Sequence, residues 1–225
     1  MANRLEQARK NPDSKKATIL KAARRIFARR GYHATGIRDV AAEAGVDTKT
    51  LYYHWSSKQT LFEAVLADIQ LDFENLLKYW INATQEMGFE QSIEMLIDKV
   101  IPAILDDPDA GRIVLLSMVD YGIEDAQWDI RYMPTLLATM RRYVERRLGI
   151  EALPPQFDTV VLGVVNMMIM LYGAKNYQMK VLGAETHEAY RERIKSMARF
   201  SIAAAMTVIG QGVASAPQHV PAIAP

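Results

Sequence analysis

The sequence predicts an all-α protein, and three observations support this prediction. Apolar residues recur at intervals of three and four along almost the whole chain, as on the buried face of a helix. No window shows sustained alternation of apolar and polar residues bounded by turn signals, so we expect no sheet. Gly and Pro gather in three short segments, 106–111, 149–155 and 181–186, which separate helical stretches. With 225 residues, 50% of them apolar, the chain is long enough to bury a core.

Capping residues and apolar spacing together set the expected helices. Two short helices are expected after Thr35 and Asp47, and a long one after Ser56 or Ser57. These residue types accept the free N–H groups of a first helical turn. We expect four N-terminal helices, at about residues 14–31, 35–45, 48–54 and 57–80. Five more are expected at about residues 90–105, 111–120, 133–148, 157–177 and 187–209. Segment 211–225 is rich in Ala and Pro, and we expect it to be a disordered tail.

The charge of the chain is divided between its two parts. Residues 1–60 hold 13 Lys and Arg against 5 Asp and Glu, whereas the rest hold 14 against 21, which gives the net charge of +1. Such asymmetry favours a polyanionic partner for the N-terminal part. The alternative is that solvated charges cluster there without a partner.

Composition also indicates the cellular compartment. The chain contains no cysteine, which excludes disulfides and thiolate metal sites and fits a reducing compartment. The N-terminus lacks the apolar region of a signal peptide, and the longest apolar run, around residues 160–172, is too short to span a bilayer. We therefore expect a cytoplasmic protein without a membrane partner.

The segment AGVDTKTLYYHWSSK, residues 44–58, joins two of the short helices through a turn that contains Gly45. Two short helices joined in this way are typical of a helix-turn-helix unit. Gly45 allows a backbone conformation that a β-carbon would penalise, while Val46 and Leu51 fill the angle between the helices from inside. The polar and aromatic residues around Leu51 are then left for the outer surface.

These outer residues have the chemistry that recognises DNA. Thr48 lies at a helix N-terminus, where free N–H groups favour a phosphate. Lys49 and the neighbouring hydroxyls can donate to base edges or phosphates, and a tyrosine ring can pack on a sugar while its hydroxyl reaches a phosphate oxygen. Trp55 is expected to anchor this third helix to the first.

Four segments in residues 19–66 carry a family resemblance: AARRIFARRGY, IRDVAAEAGV, TLYYHW and SKQTLF. In this order and spacing they resemble the N-terminal DNA-binding domain of the TetR/AcrR family of bacterial repressors. Gly36 and Asp47 depart from the family pattern, which often has threonine and serine there. Residue chemistry and resemblance together give the predicted DNA-binding residues: Arg38, Thr48, Lys49, Thr50, Tyr52, Tyr53, His54 and Lys58.

Two of these assignments have structural alternatives. Arg38 can instead pair with Asp39 or Glu43 on its own helix, and His54 can instead fill space beside Trp55. The sequence does not decide between these roles.

The resemblance also implies the domain organisation. We expect a helix-turn-helix DNA-binding domain with a basic N-terminal arm over residues 1–56, and a helical effector-binding and dimerisation domain over residues 57–210. Small residues in the last two long helices (Gly163, Gly173, Ala198 and Ala203 to Ala205) permit close helix approach, and the family places a dimer interface there. A homodimer matches a palindromic operator in double-stranded DNA.

Family members bind a small molecule in the C-terminal domain, so the resemblance implies an effector here. Flexible methionines and aromatic residues suit an apolar pocket, although the same residues are often plain core. Asn166 lies in an apolar run, where its amide can bind the effector, a partner subunit or, as we favour, a neighbouring backbone carbonyl. The candidate ligand-binding residues are Trp80, Met95, Met118, Tyr121, Trp128, Met133, Asn166, Met167 and Met170.

The resulting hypothesis is a repressor that a small apolar effector releases from its operator. The alternatives are a constitutive DNA-binding protein without an effector, and a helical enzyme. The four histidines are dispersed and the sequence has no catalytic triad pattern, HExxH motif or glycine-rich phosphate loop, so we expect no catalytic residue, metal or cofactor. The acids in DDPD (106–109) can hold a cation or simply break a helix.

Overall fold

The computed structural model describes residues 2–122 and 132–215, and all of its regular elements in those stretches are helical. The all-α prediction is therefore confirmed. The helices are α1 (Ala2–Lys10), α2 (Lys15–Arg30), α3 (Ile37–Glu43), α4 (Thr48–His54), α5 (Lys58–Ala83), α6 (Phe89–Met95), a π-helical turn (Leu96–Val100), α7 (Ile101–Leu105), α8 (Pro108–Asp120), α9 (Tyr132–Leu148), α10 (Gln156–Gly173), α11 (Lys175–Val181) and α12 (His187–Ser215).

The N-terminal segment differs from the expected basic arm, because residues 2–10 form helix α1. Leu5 and Ala8 are buried in the main core, and Arg9 pairs with Asp68 (2.5 Å) and Asp72 (2.9 Å) of α5. Few apolar residues mark this helix in the sequence. Tertiary packing and ion pairs, rather than a long apolar stripe, therefore hold it in place.

Helix caps follow the expected chemistry with one exception. Ser14 accepts the Ala17 N–H at the start of α2, as expected. Thr35 does not cap α3: its hydroxyl donates to the Gly31 carbonyl oxygen (2.7 Å), and Gly36 is the N-cap residue.

Segment 106–111, expected as a break, is mostly the first turn of α8. Asp107 caps this turn by accepting the Ala110 N–H (3.0 Å), and Pro108 occupies the first helical position, where its missing N–H costs nothing. The acids of DDPD therefore start a helix.

Three boundaries in the C-terminal half also differ from expectation. The helix expected over 90–105 contains the π-helical turn, and the helix expected over 157–177 divides at Ala174 into α10 and α11. Helix α12 continues to Ser215, so residues 211–215 of the expected tail are helical. The rest of that tail, residues 216–225, lies outside the described residues.

The described helices bury two apolar clusters. The larger one runs without interruption from α1–α4 through the first half of α5 to α8, α10 and α12, and contains Phe27, Leu51 and Trp55. The smaller one surrounds Trp80 at the far end of α5 and includes residues of α9 and α10. The helix-turn-helix unit thus shares its core with the C-terminal helices.

An ion-pair network joins the helix-turn-helix unit to the C-terminal helices. Arg24 of α2, whose side chain is 16% exposed, binds Asp68 of α5 (3.2 Å) and also Asp107 at the start of α8. Arg112 of α8 donates to the Ala28 carbonyl oxygen at 2.6 Å. Helix α8 is therefore tied directly to α2.

Helices α8 and α10 approach so closely that both contain a glycine at the contact. A β-carbon on Gly173 would lie 2.6 Å from the Gly111 carbonyl oxygen, and one on Gly111 would lie 2.0 Å from the Tyr172 ring. Gly173, like the buried Ala198, therefore serves packing within the subunit and not the expected dimer face.

Candidate nucleic-acid interface

The turn between α3 and α4 has the geometry that the sequence predicts for a helix-turn-helix unit. Gly45 has φ +65°, in the left-handed region that favours glycine. The N–H groups of Gly45 and Val46 donate to the carbonyl oxygens of Ala42 (3.1 Å) and Ala41 (3.0 Å), which closes α3. This turn holds α4 against α3 with α4 at the surface.

Helix α4 has one buried and one exposed face. Leu51 and Trp55 are both 0% exposed, and the Trp55 indole donates to the Lys16 carbonyl oxygen (3.4 Å) at the start of α2. On the other face Thr48 and Lys49 are exposed, as are Tyr52 (51%) and Tyr53 (81%). A soluble helix that leaves two tyrosine rings in water presents a surface suited to a partner.

Asp47 stabilises the start of α4 and engages Thr50. Its carboxylate accepts the Thr50 N–H (2.7 Å) and the Thr50 hydroxyl proton (3.0 Å). These bonds hold the pKa of Asp47 below its usual range, the backbone bond being the larger cause. Thr50 is half-buried with its hydroxyl committed to the cap, so the structure gives it a local structural role different from the predicted DNA contact.

His54 ends α4 beside Tyr53, with ring centroids 5.1 Å apart. Burial lowers the pKa of His54, and the nearby positive charges of Lys16 and Lys15 lower it further. The lowered pKa favours the neutral imidazole, which can donate one hydrogen bond and accept another.

Arg38 does not make the ion pairs considered as its structural alternative. Asp39 pairs with Arg30 (2.6 Å) and Glu43 pairs with Arg25 (2.8 Å). Arg38 is exposed on α3 and has no ion-pair partner among the described residues. Its guanidinium is free to bind a phosphate or a base edge.

Lys58, like Thr50, is a predicted DNA-binding residue to which the structure gives a local structural role. Its Nζ donates to the carbonyl oxygens of Tyr32 (3.0 Å), Thr35 (3.2 Å) and His33 (3.5 Å), and lies 4.4 Å from the centre of the Tyr32 ring. An ammonium has three N–H donors, and two of them bond carbonyl oxygens here at normal distances. Lys58 therefore secures the loop between α2 and α3 instead of facing a phosphate.

The candidate ligand-binding residues do not converge on one pocket. Trp80 is fully buried and, with Met95 and Met133 packed around it, belongs to the smaller core cluster. Met118 and Tyr121 are 46% and 44% exposed at the end of α8. These candidates therefore divide between the smaller core cluster and the exposed end of α8.

The remaining candidates lie elsewhere. Asn166 and Met170 are exposed on α10, and Met167 packs against the larger core. The Asn166 amide has no hydrogen-bond partner among the described residues, so the favoured bond to a backbone carbonyl is not formed. Trp128 lies outside the described residues.

Acidic residues do converge at the junction of α1, α2, α5 and α8, where Asp68, Asp72 and Asp107 surround two arginines. The arginines neutralise them, so the cluster is an ion-pair network. In the described part of the chain, no group of three or more His, Asp and Glu is arranged to hold a metal ion.

Comparison with known proteins supports the same surface. The pattern described as "Bacterial regulatory proteins, tetR family" matches residues 19–65. The HTH-type transcriptional activator FasR of Mycolicibacterium smegmatis is 46% identical over 54 residues, which are 24% of this chain and 25% of FasR. The chain thus matches only about a quarter of that relative, and residues 19–65, which the family pattern matches, contain α3 and α4.

Matches that cover more of the chain have lower sequence identity. The HTH-type transcriptional repressor SCO4008 of Streptomyces coelicolor is 25% identical over 196 residues, covering 85% of this chain and 97% of that protein. A TetR-like transcriptional regulator from Rhodococcus sp. RHA1 has a similar structure, with a TM-score of 0.60 at 18% identity over 84% of this chain and 96% of the other. This chain, including its C-terminal helices, therefore shares a fold with the Rhodococcus protein at low sequence identity.

Proposed function

Because the chain belongs to the TetR family of bacterial regulatory proteins, we propose that it is a homodimeric transcriptional repressor of the cytoplasm that binds a palindromic operator. The observation that carries this proposal is that helix α4 has one buried face and one exposed polar face. Leu51 and Trp55 fix its position from inside, while Thr48, Lys49 and Tyr53 face outward at helical spacing. A rigid helix with outward donors is what reads base edges in the major groove.

A second copy of the chain fits the exposed face of α10. Helix α10 is apolar enough, by length and composition, to cross a membrane, yet only 22% of it is buried in the subunit. An open groove of about 320 Å³ runs between α10 and α12, lined by small and apolar residues including Gly163 and Ala204. Phe200 of α12 is 77% exposed. Pairing α10 and α12 with their copies would bury this surface and give Asn166 a partner subunit to bond.

Dimerisation makes sequence recognition possible. One helix-turn-helix unit contacts too few base pairs to select a genomic site. Two copies of α4 related by a two-fold axis would read two half-sites about one DNA turn apart, roughly 34 Å. This is why we propose a palindromic operator.

We propose that Tyr132 of α9 contacts a small-molecule effector. The Tyr132 hydroxyl is buried without a hydrogen-bond partner among the described residues, and burial raises the pKa of this phenol. Its ring meets the Phe73 ring edge to face at 5.9 Å, within the cluster that also contains Trp80 and Met133. A largely apolar molecule with one polar group would supply the missing bond, and buried groups without one are uncommon.

DNA binding is tested by selecting bound sites from a random duplex pool and measuring dissociation constants. We expect Lys49→Ala and Tyr53→Ala each to weaken binding by about 10-fold or more. Lys78→Ala, which removes an exposed lysine of α5, is the matched control. The assignment of faces is wrong if Lys49→Ala and Tyr53→Ala both unfold the protein, or if neither weakens binding.

The direction of regulation and the effector need separate measurements. SCO4008 is named a repressor and FasR an activator, so a reporter placed behind the selected operator must show whether the protein lowers transcription. Candidate ligands are then added to the DNA-binding assay. If none changes the affinity while DNA binding is intact, the effector is discarded and a constitutive DNA-binding protein remains.

A further inference from the structure

A basic groove lies at the corner between α1 and α2, next to the end of α4. It has a volume of about 360 Å³ and is lined by Gln7, Lys10, Asn11, Ser14, Lys15, Lys16 and His54. Four of the seven lining residues are basic, and none is acidic. His54 is the last residue of α4, so the groove begins where the exposed face of that helix ends.

The two outermost lysines of the groove are available to a partner. Lys15 is exposed at the start of α2 and forms no ion pair with a described residue. Lys10 pairs with Glu6 (2.7 Å), but both side chains are mostly exposed, so this bond is worth little and is readily exchanged. Lys16 is committed, since its Nζ donates to the Gln7 amide oxygen (2.5 Å).

The groove is rigidly placed with respect to α4. The Trp55 indole bonds the Lys16 carbonyl oxygen, which couples the end of α4 to the first turn of α2. Helix α1 is held by Leu5 and Ala8 in the core, and by Arg9 bound to Asp68. Any molecule that α4 binds therefore meets the groove at a fixed distance and angle.

We propose that this groove binds the phosphate backbone of the DNA that flanks each half-site, so that α1 extends the operator contact beyond the base pairs read by α4. The inference rests on the proposed DNA-binding function. Double-stranded DNA is the partner that fits, because it is the only polyanion already expected against the adjoining face of α4. Burial and, second, the charges of Lys16 and Lys15 lower the pKa of His54, and a phosphate in the groove would offset the effect of those charges.

Helix α1 is not part of the segment that the family pattern covers, since it lies outside residues 19–65. Lys15, in the first turn of α2, also lies outside that segment. The flanking contact therefore belongs to a part of the chain that the family pattern does not cover, and it adds affinity without adding sequence specificity, because phosphates carry no sequence information.

The test compares the wild-type protein with the variant Lys10→Gln/Lys15→Gln, in which glutamine keeps the helix propensity and removes the charge. The matched control is Lys78→Gln/Lys99→Gln, which removes two exposed C-terminal lysines, one of them paired with a glutamate four residues away (Lys78 with Glu74, 3.7 Å). Dissociation constants are measured at several salt concentrations on the selected operator, with its flanks intact and with its flanks trimmed. Thermal melting checks that each variant folds.

Each phosphate contact contributes about 0.9 to the slope of log K against log salt, so losing four contacts per dimer should make the slope shallower by about 3 to 4. We expect this change for Lys10→Gln/Lys15→Gln on the intact operator only, and no change for the control. On the trimmed operator, the wild-type protein should have the slope of the variant. Equal slopes for wild type and variant on the intact operator would overturn the inference while leaving the DNA-binding proposal standing. Failure of the wild-type protein to bind any duplex would overturn both.

Discussion

Replacing Lys58 with methionine separates a structural role from a DNA-binding one. Methionine keeps much of the volume of the side chain but removes the ammonium that bonds the carbonyl oxygens of Tyr32, His33 and Thr35. Two of these bonds, at 3.0 and 3.2 Å, are within the normal range. The loop between α2 and α3 depends on them.

The expected loss of stability follows from these contacts. A hydrogen bond from a charged donor contributes about 1.5–3 kcal/mol, and a cation over an aromatic ring adds about 0.5–1 kcal/mol. Water can reach the loop and replace part of this, so we count only the two shorter bonds at the low end, about 3 kcal/mol. For a chain of this length, the melting temperature should fall by roughly 6–12 °C.

Calorimetry and salt-dependent DNA binding together check the result. We expect Lys58→Met to lower the melting temperature while leaving the salt slope of operator binding unchanged, and Lys49→Met to do the reverse. If Lys58 instead bound a phosphate in each subunit, its loss would make the slope shallower by about 1.8. An unchanged melting temperature together with that shallower slope would refute the structural role assigned here.

Three further predictions address other sites. Asp107→Ala should lower the free energy of unfolding by about 1 kcal/mol more than Asp107→Asn does, because asparagine still caps α8 through the Ala110 N–H; urea denaturation measures both. Tyr132→Phe removes a buried hydroxyl that has no hydrogen-bond partner among the described residues, so the free energy of unfolding should stay the same or rise by about 1 kcal/mol. The response of DNA binding to any effector that bonds this hydroxyl should disappear. The pKa of His54 is lower in the folded protein than its ordinary value of 6.5, so the unfolded chain binds the proton more readily. The free energy of unfolding should therefore fall as the pH drops through 6.5 towards the pKa of the folded state. His54→Gln should flatten that part of a plot of unfolding free energy against pH.

Local chemistry made α2 to α5 predictable from the sequence. Ser14, Asp47 and Ser57 each accept an N–H group at the start of a helix, and Gly31 and Gly45 end the helices before them with positive φ. These signals act over three or four residues, so the sequence contains them completely. The buried position of Leu51 and the exposure of Tyr53 follow from the same spacing.

Features that depend on distant parts of the chain were not predictable in this way. Lys58 bonds carbonyl oxygens more than 20 residues earlier, and Arg9 bonds carboxylates about 60 residues later. Helix α1 owes its position to those carboxylates, which no local pattern reveals. The basic surplus of residues 1–60 was visible, but not that Lys10 and Lys15 meet at one groove beside His54.

The glycine contact between α8 and α10 limits how a signal can travel through the subunit. With Gly111 and Gly173 in backbone contact, α8 cannot slide or tilt against α10 without a clash, so the two helices behave as one mechanical part. That part includes the surface proposed for pairing with a second copy. Because Arg24 of α2 binds Asp107 and Arg112 of α8 binds the Ala28 carbonyl oxygen, the helix-turn-helix unit can shift relative to the paired helices only if these bonds rearrange.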